Sequence, residues 1–132
     1  MALTLEIVTP ERRVAQVTCD EVRAPGALGG FGIRPGHASF ISALDPGPLT
    51  VLSGGREEHY VVLGGFLQVD RDRVIVLADG AERREEIDVD RAKRALSDAS
   101  ERIRTLPEQD PTHALEAARV RRATARIQVA GK

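Results

Sequence analysis

The side chains with most capacity for chemistry in this 132-residue chain are arginines gathered towards its end. Ten of the seventeen Arg residues lie between Ala81 and Ala130. Arg119, Arg122 and Arg126 are three and four positions apart, so they share one face of a helix. Guanidinium groups bond phosphate oxygens in pairs, and Arg91 on a neighbouring antiparallel helix could join them. These residue types at this spacing allow a site for an anion, in particular for phosphate.

A solvated helix face is the simpler interpretation of the same arginines on composition alone. Asp90 and Arg94, like Asp98 and Arg102, stand four positions apart, which is the spacing of ion pairs on an exposed helix. Nucleic acid is a third alternative. It is disfavoured because acidic residues are interleaved and no aromatic residue follows Phe66 to stack on a base.

The sequence lacks the usual signs of catalysis and of metal binding. His37, His59 and His113 have no spacing typical of a metal site, and Cys19 is the only cysteine. There is no Walker-type phosphate loop, and the segment Gly30–Gly32 lacks the third glycine of a dinucleotide fingerprint. We therefore expect no catalytic residue, no metal site and no disulfide.

The elements that would position the arginines differ in type on either side of Ile87. Eleven of the twelve Gly residues lie at or before Gly80, and all four aromatic residues lie at or before Phe66. Short apolar runs there alternate with turn residues, which is typical of an antiparallel β-sandwich. We expect this sandwich to comprise residues 1–86 and a helical part to comprise residues 87–132.

Seven sets of turn residues set the expected strand boundaries in the β part. Pro46-Gly47-Pro48 and Gly64-Gly65 are expected to end strands, because Pro and Gly favour tight turns. Asp70-Arg71-Asp72 is expected to form a hairpin turn between two apolar runs.

Two helices are predicted after Ile87. Asp88 is a good N-cap for the first, and Pro107 ends it. Asp110 followed by Pro111 starts the second. Because the joint between them is short, the helices should form an antiparallel hairpin. The apolar seam of the first helix is predicted at Val89, Ala92, Leu96, Ala99, Ile103 and Leu106, and that of the second at Ala117, Val120, Thr124 and Ile127.

The predicted hairpin is weakly stabilised by its own packing. Its seams are rich in Ala, and an Ala methyl group contributes well under half of the ~1.5–3 kcal/mol of a buried Leu. Helices of this length are marginal alone in water. The hairpin therefore needs the β-sandwich, a ligand or another chain to hold it, and is a candidate moving part.

Charge and hydropathy exclude direct association with a membrane. The net charge is −1, so the chain has no overall attraction to anionic lipid or nucleic acid. The longest apolar stretch, 60–67, is far shorter than the ~20 residues that span a bilayer. The start has no basic region of the signal-peptide type. We expect any membrane association to come through a partner.

Four segments in order, spread over essentially the whole chain, resemble the epsilon subunit of the rotary ATP synthase. Each segment is moderately specific alone, and together they are strongly specific. The last is the Ile/Leu-Asp-x-x-Arg-Ala element at the head of the first helix. The segments are VTPE at 8–11, PGALGGFGIRPGHA at 25–38, GGFLQV at 64–69 and IDVDRA at 87–92.

The resemblance implies a β-sandwich that binds the gamma subunit and the ring of c subunits and turns with the rotor. It implies a helical hairpin that either folds onto the sandwich or extends along gamma towards the catalytic alpha and beta subunits. Extension inhibits ATP hydrolysis in this family. Membership also implies a position on the cytoplasmic face of the bacterial plasma membrane, with membrane association only through the complex.

The resemblance further implies regulatory ATP bound to the folded hairpin. Arg91, Arg122 and Arg126 would contact phosphate, and Asp88 with the neighbouring backbone would face the adenine or order the helix start. Arg119 is a spatial neighbour on the same face. The full set of implied nucleotide-binding residues is Glu82, Ile87, Asp88, Arg91, Ala92, Arg122 and Arg126.

The leading interpretation is thus a non-catalytic coupling and regulatory subunit of a proton-translocating ATP synthase. An alternative is a free-standing ligand-sensing module, with the hairpin as a lid over a small anionic metabolite. An enzyme with an unrecognised site is a third, weaker alternative. No required cofactor and no nucleic-acid partner are expected.

Overall fold

A computed structural model describes residues 2–132, which form eight strands, then a short 3-10 turn, and then two α-helices. Strands occupy the first two thirds of the chain and helices the remainder, as the composition predicts. The elements are β1 (Leu3–Val8), β2 (Arg13–Cys19), β3 (Glu21–Ala24), β4 (Phe31–Ile33), β5 (Phe40–Ser53), β6 (Arg56–Asp70), β7 (Arg73–Ala78), β8 (Ala81–Arg83), the 3-10 turn (Arg84–Glu86), α1 (Val89–Arg104) and α2 (Pro111–Ala130).

The strands form a β-sandwich around one apolar core, which confirms the predicted fold class. Their order is β2-β1-β7-β6-β5-β3-β4, with β8 paired to β6. Alternation along each strand places apolar side chains inside; Leu3, Leu5 and Ile7 of β1 are all fully buried. One pairing departs from the antiparallel expectation, since β1 and β7 run parallel.

Two of the predicted turns are wrong, because β5 and β6 are long strands that continue through them. β5 passes through Pro46-Gly47-Pro48, where Pro46 lies opposite Leu63 and Pro48 opposite Val61 of β6. On its other edge β5 pairs with β3 only at 50–52. The two prolines therefore remove no hydrogen bond that β3 would need.

The other wrong turn, Gly64-Gly65, is a bend within β6. Gly64 and Gly65 have φ of 94° and 121°, a region that residues with a Cβ rarely adopt. A Cβ on Gly65 would also collide with the carbonyl oxygen of Leu77. The bend lies where β6 stops pairing with β7 and starts pairing with β8. The hairpin turn predicted at 70–72 is confirmed, with Arg71 and Asp72 both at positive φ.

Both helix starts form as predicted. The Asp88 carboxylate accepts a hydrogen bond from the backbone N–H of Arg91 at 3.1 Å, and α1 begins at Val89. The Asp110 carboxylate accepts from the N–H of Thr112 at 2.9 Å, and Pro111 is the first residue of α2. The helices pack against each other as a hairpin. None of the helices within residues 2–132 has the length and apolar character needed to cross a membrane.

The predicted seam fits α1 as far as Ile103, but Leu106 lies beyond the end of the helix at Arg104, and the seam predicted for α2 is wrong. Ala92 and Ala99 of α1 are buried, but Thr124 of α2 is exposed. α2 is covered on two sides, because it lies between α1 and the sandwich, so a single seam does not describe it. Its buried residues are Glu116, Ala123, Ala125 and Val129.

The hairpin is held against the sandwich by a small contact. Val61 of β6 packs with Ile87, Ala125 and Val129 in an apolar cluster separate from the main core. Beside it, Arg84 donates a hydrogen bond from Nη1 to the backbone oxygen of Lys132 at 2.7 Å. Three of the four buried cluster side chains are Val or Ala, so their burial stabilises docking only modestly.

Candidate functional site

A polar cleft of about 310 Å³ lies where the two helices meet strand β8. Each of the three elements contributes charged groups, so the cleft is complete only while the hairpin is docked on the sandwich. It carries three guanidinium groups and two carboxylates above two small apolar residues. Its lining residues are Glu82, Asp88, Arg91, Ala92, Ala95, Arg119 and Arg126.

The start of α1 sets the positions of its cleft residues. Because Asp88 caps the helix, Arg91 and Ala92 lie within the first turn, beside β8. Ala92 is 4% exposed and has no bulk beyond its methyl group, so the backbone of the first turn lies close to the rest of the hairpin. Asp88 therefore orders the helix start, one of the two roles that the resemblance implies for it.

Glu82 and Arg126 form an ion pair that joins β8 to α2. Arg126 Nε donates to Glu82 Oε1 at 2.7 Å, and about a third of each side chain is exposed. A pair with this exposure contributes about 0–1 kcal/mol. Among residues 2–132 only Nε of Arg126 has a partner, so both terminal nitrogens are available to a ligand.

A second cleft of about 280 Å³ continues from the first along the groove between the helices. Ala95, Arg119 and Arg126 line both, so the two form one continuous arginine-rich groove. Within residues 2–132, neither Arg91 nor Arg122 has a carboxylate oxygen within 4.0 Å, so both retain their full donor capacity. The other residues of the second cleft are Asp98, Arg102, Arg122 and Ala123.

The structure brings six of the seven residues implied for nucleotide binding to this groove. Arg122 lines the second cleft, and Ile87 lies outside both, packed in the apolar cluster under α2. The first cleft is lined by the other five, which are Glu82, Asp88, Arg91, Ala92 and Arg126.

The ion pairs expected for a merely solvated helix face do not form. Among the residues described, neither Asp90 with Arg94 nor Asp98 with Arg102 comes within 4.0 Å. Arg102 instead reaches across the hairpin, with Nη1 at 3.5 Å from Glu116 Oε2. Arg102 therefore bridges the two helices, whereas Arg119 pairs with Glu116 and Arg104 with Glu101 on their own helices.

The implied set of nucleotide-binding residues lacks two residues that shape the site. Arg119 is not part of the family motif, although its spacing from Arg122 and Arg126 places it on the same helix face. Glu116 had no signal of its own, because a carboxylate is an unexpected residue in an alanine-rich seam. Its position three residues before Arg119 was the available clue.

The cleft has the chemistry of a phosphate site more than of a metal site. Guanidinium groups dominate, and they match phosphate oxygens. No group of three or more His, Cys, Asp or Glu side chains within residues 2–132 is arranged to hold a metal ion.

The sandwich also carries an exposed apolar patch, formed by Ile41, Phe66 and Leu77. Their exposed fractions are 68%, 57% and 56%. Phe66 lies directly opposite Leu77, and Ile41 is two residues from the partner of Phe66 on β5, so the three share one face of the sheet. A contiguous apolar patch of this kind is typical of a surface that binds another protein.

Comparisons with known proteins match both parts of the chain. Residues 2–84 match the family described as ATP synthase, Delta/Epsilon chain, beta-sandwich domain. Residues 85–131 match the corresponding long alpha-helix domain. A chain of Euglena gracilis mitochondrial ATP synthase has the same fold, with a TM-score of 0.83 at 23% identity over 94% of this chain and 78% of that chain.

Curated relatives match along nearly the whole length. The ATP synthase epsilon chain of Anaeromyxobacter sp. strain Fw109-5 is 64% identical over 132 residues, covering 100% of both chains. That of Myxococcus xanthus strain DK1622 is 49% identical over 128 residues, covering 97% of this chain and 94% of the relative. With both domains matched in order, this chain belongs to the ATP synthase epsilon-subunit family.

Proposed function

We propose that this chain is a non-catalytic subunit of the central stalk of a proton-translocating ATP synthase. It couples the c ring and the gamma subunit to the catalytic head, and its hairpin inhibits ATP hydrolysis when extended towards the alpha and beta subunits. ATP acts as a regulatory ligand that holds the hairpin down. Family membership supports the assignment to the complex, and the geometry of the groove supports the regulation.

The observation that carries the regulatory part is the shared construction of the arginine-lined cleft. Glu82 belongs to the sandwich, Arg91 to α1 and Arg126 to α2. A phosphate group bound between Arg91 and Arg126 bridges the two helices, so its contacts form only while α1 and α2 lie side by side on the sandwich and are lost when the helices part on extension. Such a ligand binds the docked state more tightly than the extended state, and this difference in affinity shifts the population.

The energies involved are of the right size for a switch. Moving a hairpin from 1:99 to 99:1 in favour of docking requires about 5.5 kcal/mol of differential binding. Charge-assisted hydrogen bonds contribute about 1.5–3 kcal/mol each. Two or three phosphate contacts therefore approach the required difference, given that the docking contact itself is small.

The apolar patch supports the rotor part of the proposal. Ile41, Phe66 and Leu77 lie on the sandwich and away from the hairpin contact formed by Val61 and Ile87. The sandwich can therefore stay bound to gamma or the c ring while the hairpin moves. In this arrangement the chain is held at the cytoplasmic face of the bacterial plasma membrane through its partners.

Calorimetry of the isolated chain tests the nucleotide site. Arg91→Ala combined with Arg126→Ala removes two guanidinium groups and should weaken ATP binding by about a hundredfold or more, because each charge-assisted contact contributes ~1.5–3 kcal/mol. Arg94→Ala is the matched control, since Arg94 is exposed on α1 and lines neither cleft.

Two results would overturn this site. One is that the unmutated chain takes up no ATP at millimolar concentration. The other is that Arg94→Ala weakens binding as much as the double variant does, which would mean that general positive charge attracts the nucleotide.

A further inference from the structure

We infer that Glu116 is a positioning residue for the arginine-lined groove. Its carboxylate ties α1 to α2 and holds Arg119 at the cleft. The part of this inference that concerns the nucleotide rests on the proposed function. The part that concerns the tie between the helices does not. Glu116 belongs to neither cleft lining and was not among the residues implied by the family resemblance.

The burial of Glu116 is unusual for its residue type. It is 3% exposed, and it is the only charged residue among those buried in the part of the chain that the structure describes. Carboxylates are almost never buried so fully unless they are paired, because removing the charge from water is costly. Its environment in the alanine-rich hairpin must therefore provide compensating partners.

Two arginines from the two helices provide that compensation. Arg119 Nη1 on α2 donates to Glu116 Oε1 at 2.8 Å. Arg102 Nη1 on α1 lies 3.5 Å from Glu116 Oε2. Oε2 receives no hydrogen bond from any of residues 2–132, so it depends on the charge of Arg102 for its stabilisation. If the helices separate, this oxygen loses its partner.

The contact with Glu116 leaves Arg119 able to bind a ligand. About half of the Arg119 side chain is exposed, and it lines both clefts. One nitrogen is held by the buried carboxylate, and the remaining N–H groups are available. The Glu82–Arg126 pair has the same arrangement. Glu116 therefore orients the guanidinium group of Arg119, and Glu82 orients that of Arg126. Residues behind a binding site commonly fix in this way the side chains that touch the ligand.

A double-mutant cycle on ATP affinity tests the positioning of Arg119. Glu116→Gln keeps the shape of the side chain and an acceptor oxygen but removes its charge. It should weaken ATP binding by about tenfold, as expected for a lost charge-assisted bond. In an Arg119→Ala background the same change should have a smaller effect, because only the contact with Arg102 then remains to be weakened. In an Arg122→Ala background it should keep its full effect, because Arg122 does not touch Glu116. Equal effects in both backgrounds would overturn the positioning role.

Amide hydrogen exchange of the full chain without nucleotide tests the tie between the helices. Glu116→Gln and Arg102→Ala should each speed exchange in α1 and α2 by about tenfold, and leave the strands unchanged. Glu108→Gln, in the exposed joint between the helices, is the matched control and should change nothing. Unchanged exchange in both variants would overturn the tie. If the unmutated chain binds no ATP, the nucleotide part of the proposed function fails, and exchange alone decides the inference.

Discussion

Glu82 and Glu116 both pair with arginines of the groove, but they connect different parts of the molecule. Glu82 is partly exposed, and its ion pair with Arg126 joins sandwich to hairpin. Glu116 is buried, and its contacts with Arg102 and Arg119 join helix to helix. The exposed pair contributes little to stability and is readily exchanged for a ligand contact. Removing an arginine partner of Glu116 costs more stability, because a buried carboxylate charge is then left uncompensated.

Tyr60 provides an optical test of the packing of the sandwich core. Its ring is 2% exposed, and its hydroxyl donates to Glu58 Oε2 at 3.2 Å. Burial, followed by the negative charge of Glu58, raises the pKa of Tyr60 to about 12. Since it is the only Tyr and the chain has no Trp, tyrosinate absorbance should report its titration near that value while the chain stays folded.

The raised pKa of Tyr60 predicts the direction of alkaline destabilisation. The folded state holds this proton more tightly than the unfolded state, so the associated stability is complete below pH 10 and is lost as the pH rises towards about 12. Tyr60→Phe should flatten the dependence of the free energy of unfolding on pH in that window. Absorbance that titrates near 10 in folded protein would contradict the burial argument.

The candidate site could be predicted from the sequence to the extent that it depends on local spacing and on the family motif. Arg119, Arg122 and Arg126 could be placed on one face because helix periodicity determines it. Asp88 could be identified as a cap from its position before Val89. The partner of Arg126 and the burial of Glu116 depend on how α2 packs between α1 and the sandwich, which no local pattern encodes.

Strand boundaries in the β-sandwich likewise could not be predicted from local residue preferences alone. Gly64-Gly65 and the prolines of β5 have local preferences for turns, yet both lie inside continuous strands. The glycines bend β6 between its two partners, β7 and β8, and the prolines of β5 pair with β6 but have no β3 residue on their other side. By contrast, the helix starts at Asp88 and Asp110 agree with expectation, because a cap is satisfied within four residues.

The docking of the hairpin can be weakened through Ile87, which lies between Val61 and α2. Ile87→Ala removes most of a side chain that is 8% exposed, a change that costs ~2–5 kcal/mol in a packed apolar site. Because this cluster is separate from the main core, we expect faster amide exchange in α1 and α2 with unchanged protection in the strands.

The matched control for Ile87→Ala is Leu115→Ala, which removes a similar volume from a side chain that is 62% exposed on α2. It should leave exchange unchanged in both parts of the chain. Loss of protection throughout the strands in Ile87→Ala would mean that hairpin and sandwich unfold together. In that case the hairpin would not be a separately movable part.

The molecule as a whole combines a well-packed sandwich with a more lightly attached helical hairpin. The main core contains Leu3, Leu5, Ile7 and many further buried residues of the sandwich. The docking cluster contains four buried residues, with three partly buried ones packed against them, Leu63, Val89 and Ala130. Stability is therefore concentrated in the part that carries the exposed apolar patch. The groove, in which Arg91 and Arg122 have no carboxylate partner among residues 2–132, lies where the sandwich and the hairpin meet.

Removal of residues 88–132 within the chain's own ATP synthase separates these roles. The remaining sandwich keeps its core and its patch, so we expect it to copurify with gamma as the full chain does. The rate of ATP hydrolysis should rise above that of the complex with the full chain. If the truncated chain purified alone, a free-standing module would be favoured. Hydrolysis at the unchanged, inhibited rate in the assembled complex would contradict a regulatory hairpin.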